Sequence, residues 1–203
     1  TFLAPLSPDD DDRFGHSVSV WGDTVVVGAP YEDSAATDVN GNHADNSLDE
    51  SGAAHVFVRN DSTWTHEAYL KASNAGKWDW FGYSVAVCGD TIVVGAPDED
   101  SSATGVDGNQ EDNSDSGSGA AYVFVRNGTT WTQQAYLKER DNGNLHVMHE
   151  FGTSVSLHND TLAVGMPGSA TVEVFVRAGD RWVSEAALRP FAEDEYWNNS
   201  FGC

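Results

Sequence analysis

The residues best equipped for chemistry lie in two acidic stretches. The first offers Asp33, Asp38, Asn40, Asn42 and Asp45 around Gly41, and the second offers Asp100, Asp107, Asn109 and Asp112 around Gly108. Carboxylates and amides at alternating spacing present hard oxygen donors, and calcium gathers about six to eight such oxygens. These nine residues are the candidate calcium ligands. Neither stretch carries the closing glutamate of an EF-hand loop. The same composition also suits a loop tied by Asx turns and its own hydrogen bonds.

Four Asn-x-Ser/Thr triplets form the second group: Asn60-Asp61-Ser62, Asn127-Gly128-Thr129, Asn159-Asp160-Thr161 and Asn198-Asn199-Ser200. Asn60, Asn127, Asn159 and Asn198 are therefore candidate glycan acceptors on surface turns, against the plainer reading that Asn and Thr are common turn residues. Catalytic patterns are not found. There is no nucleophile elbow, no His-Glu-x-x-His and no phosphate-binding glycine loop. His146 and His149 read as part of a solvated linker. Trp78 and Trp80 flank Asp79 as a sugar platform would, but the other units have no such pair. Asp23, Asp90 and Asp160 recur as hydrogen-bonding turn acids. The expectation is a protein that is not an enzyme.

Ten Lys and Arg against 32 Asp and Glu leave a formal net charge of −22. Such a surface repels nucleic acid and anionic lipid and attracts cations. No apolar run reaches the ~18 residues of a membrane span. Cys88 and Cys203 are too few for a disulfide framework or a structural zinc site, and the sequence leaves their pairing open.

The elements that must position these groups are read from internal repeats. Phe14-Gly15-His16-Ser17-Val18 returns as Phe81-Gly82-Tyr83-Ser84-Val85 and as Phe151-Gly152-Thr153-Ser154-Val155, and Phe201-Gly202 starts a fourth copy. Asp23 through Pro30 returns as Asp90 through Pro97 and, with Met166 for alanine, as Asp160 through Pro167. Gly52 through Arg59 matches Gly119 through Arg126, with a remnant in Thr171 through Arg177. Trp64 with Ala68-Tyr69-Leu70-Lys71 matches Trp131 with Ala135 through Lys138, and then Trp182 with Ala186 through Arg189. Each landmark is short, β-branched or aromatic, and bounded by turn residues, so each reads as a strand. Four antiparallel strands per unit predict an all-β chain of β-propeller-type blades, with a sandwich or β-solenoid as the alternatives. Gly28 and Gly95 are expected where the backbone turns sharply or meets a neighbouring blade. Phe14, Phe81 and Phe151 are expected between blades.

Phe-Gly followed by Gly-Ala-Pro in each unit resembles the FG-GAP repeat, over essentially the whole chain, with Gly-Met-Pro in the third unit. The resemblance implies an integrin α-like propeller on an extracellular or cell-surface protein, with adhesion or ligand binding as its task. The integrin-type calcium loop lies between the Phe-Gly and Gly-Ala-Pro strands. Here Trp21 to Asp23 fill that place, so that site does not carry over, and the acidic stretch follows Gly-Ala-Pro instead. The third unit lacks it, hence its shorter repeat.

The chain then divides into 1–13, a fourth strand of a preceding blade with its linker; units at 14–80, 81–150 and 151–200; and the start of a further unit at 201–203. Three blades are too few for a closed ring, which takes about four to eight, so the array is expected to be open unless more chain or another subunit completes it. The expected partners are further blades or other copies of the chain. The expected function is an extracellular, secreted structural or adhesive repeat protein, assembling head to tail into oligomers or fibres. The alternatives are a ligand-binding module for an extracellular protein or glycan and, more remotely, a propeller hydrolase or lyase.

Overall fold

The computed structural model describes residues 3–9, 11–140 and 148–190. The strands fall where the repeats place them. The first unit contains β1 (Ser17–Trp21), β2 (Thr24–Ala29), β3 (Ala53–Asn60) and β4 (Thr63–Leu70). The second contains β5 (Ser84–Cys88), β6 (Thr91–Ala96), β7 (Ala120–Asn127) and β8 (Thr130–Leu137). The third contains β9 (Ser154–His158), β10 (Thr161–Met166), β11 (Thr171–Ala178) and β12 (Arg181–Leu188). Each unit is one antiparallel four-stranded sheet in sequence order. The three sheets form an open array of blades.

Two-residue turns join the first and second strands and the third and fourth, so these turns share one end of every blade. Asp61 (φ 57°) and Gly128 (φ 67°) adopt the left-handed conformation that such tight hairpins require. The opposite end carries the Phe-Gly turns and the acidic loops. In the third unit a single 3-10 turn, Pro167–Ser169, replaces the loop.

The core is two seams between blades. One seam packs Val26, Val56 and Leu70 of the first blade against Val85, Ile92, Val94 and Phe124 of the second. The other packs Val93, Val123 and Leu137 of the second against Leu162, Val164 and Phe175 of the third. Strand alternation thus sends successive side chains of the middle blade into different seams. Phe81 and Phe151 are fully buried, as expected of aromatic groups between blades, whereas Phe14 is half-buried.

Glycine is required where the blades touch. A Cβ on Gly28 would stand 1.9 Å from the carbonyl oxygen of Gly82, and one on Gly95 would stand 2.0 Å from that of Gly152. The Phe-Gly turn of each following blade is pressed onto the strand that ends in Gly-Ala-Pro. Ser17 Oγ donates to the Gly82 carbonyl at 2.8 Å, and Ser84 Oγ donates to that of Gly152 at 2.7 Å. The two signature motifs therefore meet across the seam.

The opening stretch differs from expectation. Its described residues, 3–9 and 11–13, are not a strand. The start of a further unit at 201–203 lies outside the described residues.

Candidate functional site

Each long acidic loop is stapled at its neck by a buried ion pair. Lys71, at the end of β4, donates to Glu32 Oε2 at 2.9 Å and to Ser51 Oγ at 2.8 Å, and Tyr69 Oη donates to Glu32 Oε1 at 2.7 Å. The second unit repeats this arrangement. Lys138 donates to Glu99 at 2.7 Å and to Ser118, and Tyr136 donates to Glu99 at 2.8 Å. Glu32 and Glu99 open the loops, and Ser51 and Ser118 close them. Burial pushes both lysines below the ordinary lysine range, opposed by the facing carboxylate. Burial, reinforced by the same carboxylates, pushes Tyr69 and Tyr136 upward, so both remain protonated donors. Asp79, beside Glu99, is raised to about 7, first by burial and then by that neighbour's charge. These groups were not among the nominated residues. Their signal was in the sequence: a glutamate two residues after each Gly-Ala-Pro, matched by a recurring Tyr-Leu-Lys.

The nominated metal ligands are engaged in closing the loops. Asn40 exchanges two bonds with the backbone of Tyr69, accepting at Oδ1 (2.9 Å) and donating from its own amide (2.8 Å). Asp107 does the same to Tyr136, at 3.0 and 2.8 Å. Both residues sit at positive φ, 60° and 53°. They cover the outer edges of β4 and β8, which would otherwise present open backbone groups.

Asp33 accepts from the Glu50 amide and Asp100 from the Gly117 amide. Asp45 accepts from the Ala35 amide and the Ser47 hydroxyl, and Asp112 accepts from the Ser102 hydroxyl. Asn42 and Asn109 each accept a serine hydroxyl on the main-chain carbonyl and an amide two residues on at Oδ1. Asp38 accepts the Gly41 amide on its carbonyl. No three His, Cys, Asp or Glu side chains converge to hold a metal among the described residues.

At the turn end, Asn60, Asn127 and Asn159 are all exposed. Asn198 lies outside the described residues. Asp23, Asp90 and Asp160 each pair with an arginine of their own blade, Arg59, Arg126 and Arg177. His149 lies buried against Glu139. His146 lies outside the described residues. Trp80 donates to Glu50, while Trp78 is exposed beside Lys77. Cys88 is buried and pairs with no other cysteine among the described residues, and Cys203 lies outside them.

Among the described residues, the two outer faces of the array are open. Val18 and Val20 on β1 are 67% and 66% exposed, whereas their counterparts Val85 and Val87 are 8% and 5% exposed. On the far face of the third blade Leu188 is 51% exposed, whereas Leu70 and Leu137 are fully buried. Val172, Val174 and Ala186 are half-buried there. The first blade thus presents one half of a blade seam and the third blade presents the other.

The FG-GAP repeat family model matches residues 3–57 and 64–124. No curated protein matches the chain. FG-GAP repeats are typically extracellular and generally non-catalytic, and they suggest an adhesive or ligand-binding module. No helix among the described residues is long and apolar enough to cross a membrane.

Proposed function

Because this chain belongs to the FG-GAP repeat family, we propose that it is a secreted structural or adhesive module that works by stacking blades against blades. One observation carries the reading. Apolar positions buried at both internal seams are open at the two ends, as the contrast of Val18 and Val20 with Val85 and Val87 shows. Exposed apolar faces of this kind mark interaction surfaces, and unlike faces that mate end to end build chains of subunits. The polar groups with the chemistry to act on a substrate, Glu32, Lys71, Glu99 and Lys138, are instead bonded to one another inside the blades. The acidic surface keeps such an assembly soluble. Light scattering across a concentration series tests the reading: the weight-average mass should climb above the 21.8 kDa of one chain, and a mass fixed at that value would reject it.

A second reading rests on a groove of ≈ 510 Å³ between the turns of the first two blades. The half-exposed indole of Trp21 lines it beside Asp23 and Asp90. An aromatic platform flanked by acids suits a glycan. Binding to a glycan panel that Trp21→Ala abolishes would support this reading, and no binding to any member of the panel would remove it.

A further inference from the structure

We propose that a second copy of this chain docks the third blade of one molecule onto the first blade of the next, with Glu185 recognising Arg59 and Trp64 there. The proposal rests on the association reading above and adds the groups that select and orient the partner.

Each internal seam carries one polar clasp of constant design. The β3–β4 ladder shifts register after Val56, because Val56 faces Ala68 and Phe57 faces His66. Glu67 is left as the extra residue of a bulge, and such bulges re-aim a side chain. Glu67 Oε1 accepts from Trp131 Nε1 at 2.8 Å and from Arg126 Nη1 at 3.2 Å, both on the following blade. The same bulge recurs in β8 and leaves out Gln134. Gln134 accepts from Trp182 Nε1 at 3.1 Å and from Arg177 Nη1 at 2.9 Å on the third blade. Each arginine lies over its own tryptophan, at 5.1 and 4.6 Å, and also reaches a threonine of the preceding blade, Thr24 or Thr91.

The two halves of this clasp that remain are on opposite ends of the array. β12 carries the same bulge, between the partners of Val174 and Phe175, and the residue it leaves out is Glu185. Glu185 is exposed, and so is Thr161, the counterpart of Thr24 and Thr91. The donor half is on the first blade. Arg59 is held by Asp23 through Nε at 2.7 Å and stands 5.6 Å from Trp64, as Arg126 and Arg177 stand by theirs. Trp131 and Trp182 are buried by the blade before them, but Trp64 is only half-buried. The open ends therefore match in charge as well as in apolar shape. The three described blades form an open array, and in the association proposed here the acceptor end of one molecule meets the donor end of another, head to tail.

The test uses Glu185→Arg and Arg59→Glu in the full chain, followed by sedimentation velocity. Both positions are exposed, and unchanged melting temperatures confirm that the variants fold. The wild type should associate progressively, whereas each variant alone should stay monomeric. Mixed in equal amounts, the variants should associate again, because Glu185 of the Arg59→Glu molecule meets the intact Arg59 of the Glu185→Arg molecule, and the reversed charges at the other joint also attract. Trp64→Phe, which keeps a ring but loses the indole donor, should weaken wild-type association roughly five- to tenfold. If the wild type and both variants associate alike, the clasp is wrong although association stands. If the wild type remains monomeric, the association reading itself fails. A mixture that forms no dimer also overturns the clasp.

Discussion

Replacing Gly95 by alanine tests the contact on which the stacked blades depend. The new methyl carbon would stand 2.0 Å from the Gly152 carbonyl oxygen, 2.4 Å from Ser84 Oγ and 2.9 Å from the Gly152 carbonyl carbon. The first and last of these atoms are backbone, so the blades must separate by about an ångström to restore ordinary packing. Overpacking of this kind costs about 1–3 kcal/mol. Displacing the Ser84-to-Gly152 hydrogen bond adds roughly 1 kcal/mol. The total, ~2–4 kcal/mol, corresponds to a fall in melting temperature of roughly 4–16 °C for a chain of this size. Gly128→Ala is the matched control. Nothing lies within 4 Å of its added carbon, and only its left-handed backbone (φ 67°) is strained, at about 1 kcal/mol. Thermal unfolding followed by circular dichroism separates the two. A Gly95→Ala variant as stable as Gly128→Ala would refute the close approach of the second and third blades.

The buried neck pairs give a second prediction. Lys138→Met leaves Glu99 buried with only neutral donors, Tyr136, Asn74 and the Ser101 amide, and should lose about 3–5 kcal/mol in urea unfolding, while Glu99→Gln with Lys138→Met should recover much of that. His55 supplies a pH test. Burial first, and the neighbouring His66 second, hold it neutral with a pKa of about 3 in the fold. Because that value lies below the ordinary histidine range, the unfolded chain takes up the proton first. Stability should therefore fall as pH drops below ~6.5, by about 1.4 kcal/mol per unit from this group, until about pH 3. Asp79, raised to about 7, contributes with the opposite sign across part of that window, so the quantity to compare is wild type against His55→Tyr, the residue found at Tyr122. The variant should lose that share of the acid sensitivity, and an unchanged pH profile would contradict the assignment. Finally, the acidic loops close through their own hydrogen bonds, so chelation of calcium should leave the melting temperature within about 2 °C; a larger fall would show that the loops coordinate a cation.

Much of the scaffold was legible because it is written in local pattern. Runs such as Thr91–Ala96, bounded by Gly89-Asp90 before and Pro97 after, admit little but a strand. Repetition of Phe-Gly and Gly-Ala-Pro pointed to a close approach at Gly28 and Gly95, and the structure finds it there. The acidic loops were legible as loops, but the hydrogen bonds that close them were not. Asn40 and Asp107 have the chemistry of a cation ligand, and only the fold shows that each lies against the edge of a fourth strand. The clasp was hidden for a similar reason. Glu67 looks like any exposed strand acid, and what sets it apart is a register shift opposite Val56 and Phe57. That shift depends on how two strands pair, and its partners sit 59 and 64 residues away on another blade.

The central claim is that the two open ends of this array are halves of one seam. Amide hydrogen exchange at low and high protein concentration tests it most directly. The account predicts that protection rises with concentration along β1 (Ser17–Trp21) and β12 (Arg181–Leu188) while β5 and β6, already enclosed, stay unchanged. Protection independent of concentration at both ends, or gained only along the middle blade, would contradict it.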